Sequence, residues 1–162
     1  MSIQTQYQTL FAYHWNTNSR ILAGVAHLDE AAFRAGTVYG RGSIHGLLFH
    51  ILNADRSWRL ALETGQQAES LPAETYRELA SLRAGFEAEQ QAWEVLLGAF
   101  TPDEIEAVAE LTNRRGRTFP IPRWRVLQHI ILHGMQHHTE LAQLLTEHGH
   151  SPGDIDFIFY HP

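Results

Sequence analysis

Apolar residues recur at intervals of three and four in four long stretches of the chain, the spacing that gives a helix one core-facing stripe. Over residues 3–27 the stripe is Tyr7, Phe11, His14, Asn18, Ile21 and Val25, so two polar side chains lie in line with the apolar ones. A second helix is predicted over 43–63, with Ser43 as its N-cap after a Gly-Arg-Gly turn. Its inner face carries Ile44, Leu47, Leu48, Ile51, Ala54, Trp58 and Leu62, and Thr64-Gly65 stops it. A third is predicted over 72–100, with Leu79, Leu82, Phe86, Trp93, Leu96 and Leu97 facing the core. Thr101-Pro102 then opens a short turn, since proline suits the first helical position.

The period changes over residues 106–121, where modest alternation surrounds Asn-Arg-Arg-Gly and predicts a small hairpin or an ordered loop. The fourth helix is predicted from about residue 122 to 147 or 148, with Gly149 as its stop. The closing SPGDIDFIFYHP carries too many apolar residues for a free tail and is expected to fold back on the rest. Four helices joined by short connections predict an all-α protein, a four-helix bundle whose facing helices can aim side chains at one interior point. No repeat or low-complexity tract interrupts it, so residues 1–162 are expected to form one domain.

Composition narrows the function classes. With 44% hydrophobic and 19% charged residues, the chain has the balance of an ordinary globular protein. A formal charge of −6 argues against gripping nucleic acid through its phosphates. Arg114, Arg115 and Arg117 form one basic cluster, expected to be solvated in its loop. The absence of cysteine excludes a disulfide scaffold, a cysteine-ligated zinc site and a cysteine nucleophile. The N-terminal MSIQTQYQTLFAYHW lacks the basic start and apolar run of a signal peptide, and no apolar stretch approaches bilayer length. A cytoplasmic protein without membrane or nucleic-acid partners is expected.

The candidate chemistry lies in HIILHGMQHH, residues 129–138, which holds four of the 11 histidines. At roughly 100° per residue, with His129 at zero, His133 falls at about 40°, His137 at about 80° and His138 at about 180°. Val126, Ile130, Leu141 and Leu144 fall between about 60° and 120° on the same wheel. His133 and His137 therefore share the core face, one turn apart, in the H-x-x-x-H arrangement that lets two imidazoles reach one ion. His138 is expected toward the opposite margin, facing solvent or a dimer partner. A third ligand must come from another helix. His50 lies nearer the core face of the second helix than His45, and His14 on the first helix is the other candidate, with a buried hydrogen-bonded role as its alternative.

Other motifs carry less. GRGS at 40–43 is too short to cradle a phosphate and reads as a turn and cap, and Ser43 lacks the G-x-S-x-G setting of a hydrolase nucleophile. Glu87 and Glu89 read as surface charges; His129 and Glu140 flank the ligand face, either as groups that support a ligand or move a proton or, the favoured reading, as solvated margin residues.

SIHGLLFHILNADRSW on the second helix, VLQHIILHGMQHHTELAQLL on the last and GHSPGDIDFIFY after it together resemble the DinB/YfiT-like four-helix bundles, with YHWNTNSRIL a looser match. The resemblance covers essentially the whole chain. It implies an up-down-down-up bundle, a homodimer, and a divalent ion, usually nickel or zinc, held by His50, His133 and His137. It also implies relatives that use low-molecular-weight thiols such as bacillithiol or mycothiol. Two departures concern the substrate pocket: His138-Thr139-Glu140 stands where many members have Arg-Gly-Gln, and Asn16 where a tryptophan is frequent.

Three neutral imidazoles leave coordination positions open, the form of a catalytic site. The leading expectation is a metal-dependent thiol S-transferase-like enzyme, with His14, Asn18, Trp58 and His129 as pocket candidates and no catalytic residue assigned. A metal-dependent hydrolase is the second expectation, and a non-catalytic metal- or ligand-binding stress-response protein the third.

Overall fold

The computed structural model describes residues 1–161. In chain order the elements are α1 (Ile3–Val25), α2 (Glu30–Arg34), α3 (Ile44–Thr64), α4 (Leu79–Ala99), α5 (Pro102–Glu106), β1 (Val108–Thr112), β2 (Thr118–Pro122) and α6 (Arg123–Glu147). The four long helices form the bundle. None of the helices is long and apolar enough to cross a membrane.

Pairwise contacts fix the helix directions. Tyr7 donates to the Trp124 carbonyl and Asn18 bonds His138, so α1 and α6 advance together. His45 donates to the Tyr76 carbonyl and Arg59 to Glu89, so α3 and α4 are also parallel. Trp58 meets His129 while His50 meets His137, which sets α3 against α6. Gln4 donates to Leu97 and Arg83 to Leu22, which sets α1 against α4. The order is up-down-down-up, as the family resemblance implies.

Two parallel helices in sequence need a chain segment that crosses the length of the bundle. Residues 65–78 do this, and they shorten the third predicted helix, which starts at Leu79 rather than near residue 72. The segment contains only one 3-10 turn, Ala73–Tyr76, and Glu78 before α4 is extended. Gly65 makes the turn out of α3 at φ 78, a left-handed conformation that costs glycine nothing. The first helix likewise ends sooner, at Val25. Asp29 then caps the unexpected α2 by accepting from the Ala32 N–H at 2.7 Å.

Between the hairpin and the loop alternatives for residues 106–121, the hairpin forms. β1 and β2 pair antiparallel, with Val108 opposite Pro122 and Thr112 opposite Thr118. The Asn113 side chain accepts from the Arg115 and Arg117 N–H groups and closes the turn. The crossing segment adds to this sheet, because the Thr112 N–H donates to Gly65 and the Gln67 N–H to Thr112. The tail lies along α1, where Tyr13 donates to the Ile155 carbonyl and Arg20 to that of Pro152.

An ion pair borders the core. Glu89, expected at the surface, is 7% exposed and meets the Arg59 fork at 2.7 and 2.9 Å. The parallel approach of α3 and α4 turns this carboxylate toward a guanidinium one helix away, and the bidentate geometry compensates its burial. At the α1–α6 contact Gly134 has no room for a side chain: an added Cβ would lie 2.4 Å from the His14 ring. Alanine in place of a helical glycine normally stabilises by about 1 kcal/mol. Here overpacking of order 1–3 kcal/mol opposes that gain. Gly134→Ala is therefore expected to lower the midpoint of urea denaturation, and a raised midpoint would contradict the close approach.

Candidate metal centre

The antiparallel pairing of α3 and α6 brings His50 opposite the i, i+4 pair His133 and His137. His50 Nε2 and His133 Nε2 are 2.9 Å apart, and the three ring centroids stand 4.6–4.8 Å from one another. One ring nitrogen from each residue lies within 4.8 Å of the others, so the cluster could hold a metal ion. The other two candidates for the third position are engaged elsewhere. His45 turns to the Tyr76 carbonyl at 2.8 Å, and His14 to Asp55 at 3.0 Å.

The electrostatics suit ligation, which needs neutral imidazoles. Burial, then the Arg41 guanidinium and His137, lowers the His50 pKa to about 4. Burial, then the neighbouring histidines and Arg41, lowers that of His133 to about 3. His137 Nδ1 lies 2.6 Å from Glu140 Oε2. A carboxylate there selects the Nδ1–H tautomer and leaves Nε2 with its lone pair free, the usual support of a metal-binding histidine. Glu140 is thus no solvated margin residue; its i+3 spacing from His137 is the signal that could have revealed it. His133 Nδ1 is buried without a hydrogen bond among the described residues, so beyond His50 this ring has no other bond to give up on binding an ion. Three nitrogens with no thiolate fit zinc, nickel or a similar borderline ion.

A cleft of about 380 Å3 opens over His50 and His133, and Trp58 forms part of its wall. His129 does not line the cleft; it is exposed beside it, with its ring 5.4 Å from that of Trp58 and 5.6 Å from that of His133. His14 and Asn18 are not on this cleft. They belong to a second, closed cluster in which Asn18 joins His14, at 3.1 Å, to His138, at 2.8 Å. Sequence reasoning missed Arg41 and Asp55, neither of which sits in a recognisable motif. Arg114 is exposed in its turn, as expected, but it also bonds Ala68 and Ser70 and lines the cleft.

His138 departs from expectation most clearly. It is 1% exposed, within the bundle, although it points away from the ion cluster. The wheel measured its angle from His137 correctly, but α6 is flanked by α3 on one side and α1 on the other, so both directions lead inward. Burial, then His14, pushes the His138 pKa well below its ordinary value. Asp55, fully buried beside His14, is pushed up by burial.

The sequence model of the DinB family matches residues 1–162, and the chain belongs to that family. Comparison with curated proteins gives no significant match.

Two outcomes are expected. His137→Ala should lose bound metal on dialysis, whereas His138→Ala should keep it while losing about 1–3 kcal/mol of stability through the unpaired Asn18. Elemental analysis with the reverse pattern would overturn the assignment. His138 is neutral when folded and gains a proton on unfolding below about pH 6.5, so stability held above that pH is lost as pH falls toward the depressed folded value. Asp55 titrates in the opposite sense, so the comparison must be with a variant. In chelator, wild type should lose more melting temperature between pH 7.5 and 5.5 than His138→Gln does; equal losses would contradict the buried neutral imidazole.

Proposed function

We propose that this DinB family member is a metal-dependent thiol S-transferase-like enzyme, holding nickel or zinc through His50, His133 and His137. Its substrates would be a low-molecular-weight thiol such as bacillithiol and a small electrophile. The observation that supports this most is the convergence of three imidazoles from two antiparallel helices, beside a cleft open to solvent. When bound, a divalent ion supplies Lewis acidity that favours the thiolate, the nucleophilic form of sulfur.

The protein's own groups do the rest. His50 and His133 stay unprotonated at neutral pH because burial and Arg41 disfavour the imidazolium. Glu140 holds the His137 ring in one tautomer and one orientation. Trp58 offers an apolar wall that keeps water from one side of the sulfur. His129 beside the cleft takes up the thiol proton, the thiolate forms the bond to the electrophilic carbon, and the leaving group departs with the bonding pair. The lack of cysteine agrees with a thiol brought by the cosubstrate.

Conjugation of bacillithiol or a simpler thiol to a halodinitrobenzene should stop on complete chelation and return with added nickel or zinc. His137→Ala should lower kcat/KM by at least about a hundredfold, as outer or direct ligand loss commonly does. An unchanged rate after chelation removes this mechanism. Metal-dependent ester hydrolysis without thiol would make the protein a hydrolase, and retention of metal with neither activity would make it a binding protein.

A further inference from the structure

The cleft over the histidines has a charge pattern at odds with the chain as a whole. Asp and Glu number 18 against 12 Lys and Arg, yet no carboxylate lines this cleft among the described residues. Arg41, from the loop before α3, and Arg114, from the hairpin turn, both line it, with Ser57, Ser70 and Asn53 as further polar groups. Two arginines elsewhere are neutralised: Arg59 pairs with Glu63 and Glu89, and Arg34 with Glu30 and Glu78. Neither Arg41 nor Arg114 has an acidic partner among the described residues. Arg114 is instead steadied by two neutral acceptors, the Ala68 carbonyl at 2.6 Å and Ser70 Oγ at 3.1 Å.

Guanidinium groups do not lose their protons near neutrality, so both charges persist. Neutral imidazoles in the wall offset none of that charge, nor any brought by a bound divalent ion. Glu140 is the nearest carboxylate that bonds the cluster, and it is committed to His137. A region of one sign with low-dielectric walls concentrates the opposite ion.

We propose that the cleft is an oxyanion site: the substrate of the three-histidine centre carries a carboxylate or phosphate group that Arg41 and Arg114 bind, with its reacting end toward His50 and His133. The volume of about 380 Å3 matches a small molecule, and Trp58 gives an apolar portion of it a surface. The inference rests on the reading above for the word substrate, but the paired arginines would bind an oxyanion whether or not an ion is present.

The test is calorimetric titration of metal-free and metal-loaded protein with phenyl phosphate, 3-phenylpropionate and the uncharged 3-phenylpropanol. At least one anion is expected to bind more than tenfold tighter than the alcohol in both forms, and the tighter of the two identifies the oxyanion. Arg41→Gln and Arg114→Gln should each weaken that anion by roughly tenfold, the worth of a charge-assisted bond partly exposed to water. They should leave the alcohol unchanged. Arg115→Gln, a neighbouring arginine that does not line the cleft, should change nothing. Because Arg114 also steadies the crossing segment, Arg41→Gln is the deciding variant. Equal binding of alcohol and anions, or wild-type anion affinity in Arg41→Gln, overturns the proposal. Anion binding that appears only with metal and ignores the arginines overturns it too, by assigning the site to the ion alone. A protein that takes up no metal at all would defeat the thiol-transferase reading, while the metal-free titrations would still decide this one.

Discussion

Helix α6 is packed between α1, which runs parallel to it, and α3, which runs against it, and a polar group buried on either inner face is costly unless a partner meets it. An imidazole removed from water loses hydrogen bonds at two ring nitrogens, and groups on its own helix and on the facing helices recover part of that loss. The α3 side answers with His50, the α1 side with Asn18 and, through it, His14 and Asp55. Gly134 permits the second of these contacts, since any side chain there would occupy the space of the His14 ring.

The two clusters differ in access, and that difference separates their roles. His14, Asn18, Asp55 and His138 are all at most 2% exposed and bond chiefly to one another, so they lock three helices in register. His50 and His133 are half-buried and border the cleft. A closed polar cluster specifies structure; an open one with lone pairs directed at a common point can take a ligand. The closed cluster also serves the open one, because His138, bonded to Asn18 of α1, fixes the rotation of α6 that turns His137 toward His50 of α3.

The unusual connection after α3 shapes what lies above the ion cluster. Parallel α3 and α4 require the crossing segment, and that segment gains its backbone partners from the hairpin through Gly65, Gln67 and Thr112. Ser70 then meets Arg114, and Asn53 on α3 accepts from the Leu71 N–H, so the segment is tied on both sides. The cleft wall is therefore assembled from two helices, α3 and α6, the loop before α3, the crossing segment and a hairpin turn. A topology forced by helix direction ends by supplying Arg114 and Ser70 to the site.

The sequence by itself determined the four long helices, the hairpin region and the inward pair His133 and His137, because each is a matter of periodicity along one element. Ser43 as the N-cap of α3, accepting from the Gly46 N–H, was legible for the same local reason. The wheel preferred His50 to His45 only weakly and left His14 open, since it gives an angle on one helix and says nothing about which helix it faces; the family resemblance implied His50. Tertiary structure decided that choice. It also decided that His138 lies inside, that Glu89 is paired with Arg59, and that Arg41 and Arg114 share one cleft. Each depends on a partner distant in sequence, and the partner is set by the packing of whole helices. An angular period fixes direction around an axis; only the neighbouring axes determine whether that direction leads to water, to an ion pair or to three imidazoles around one point.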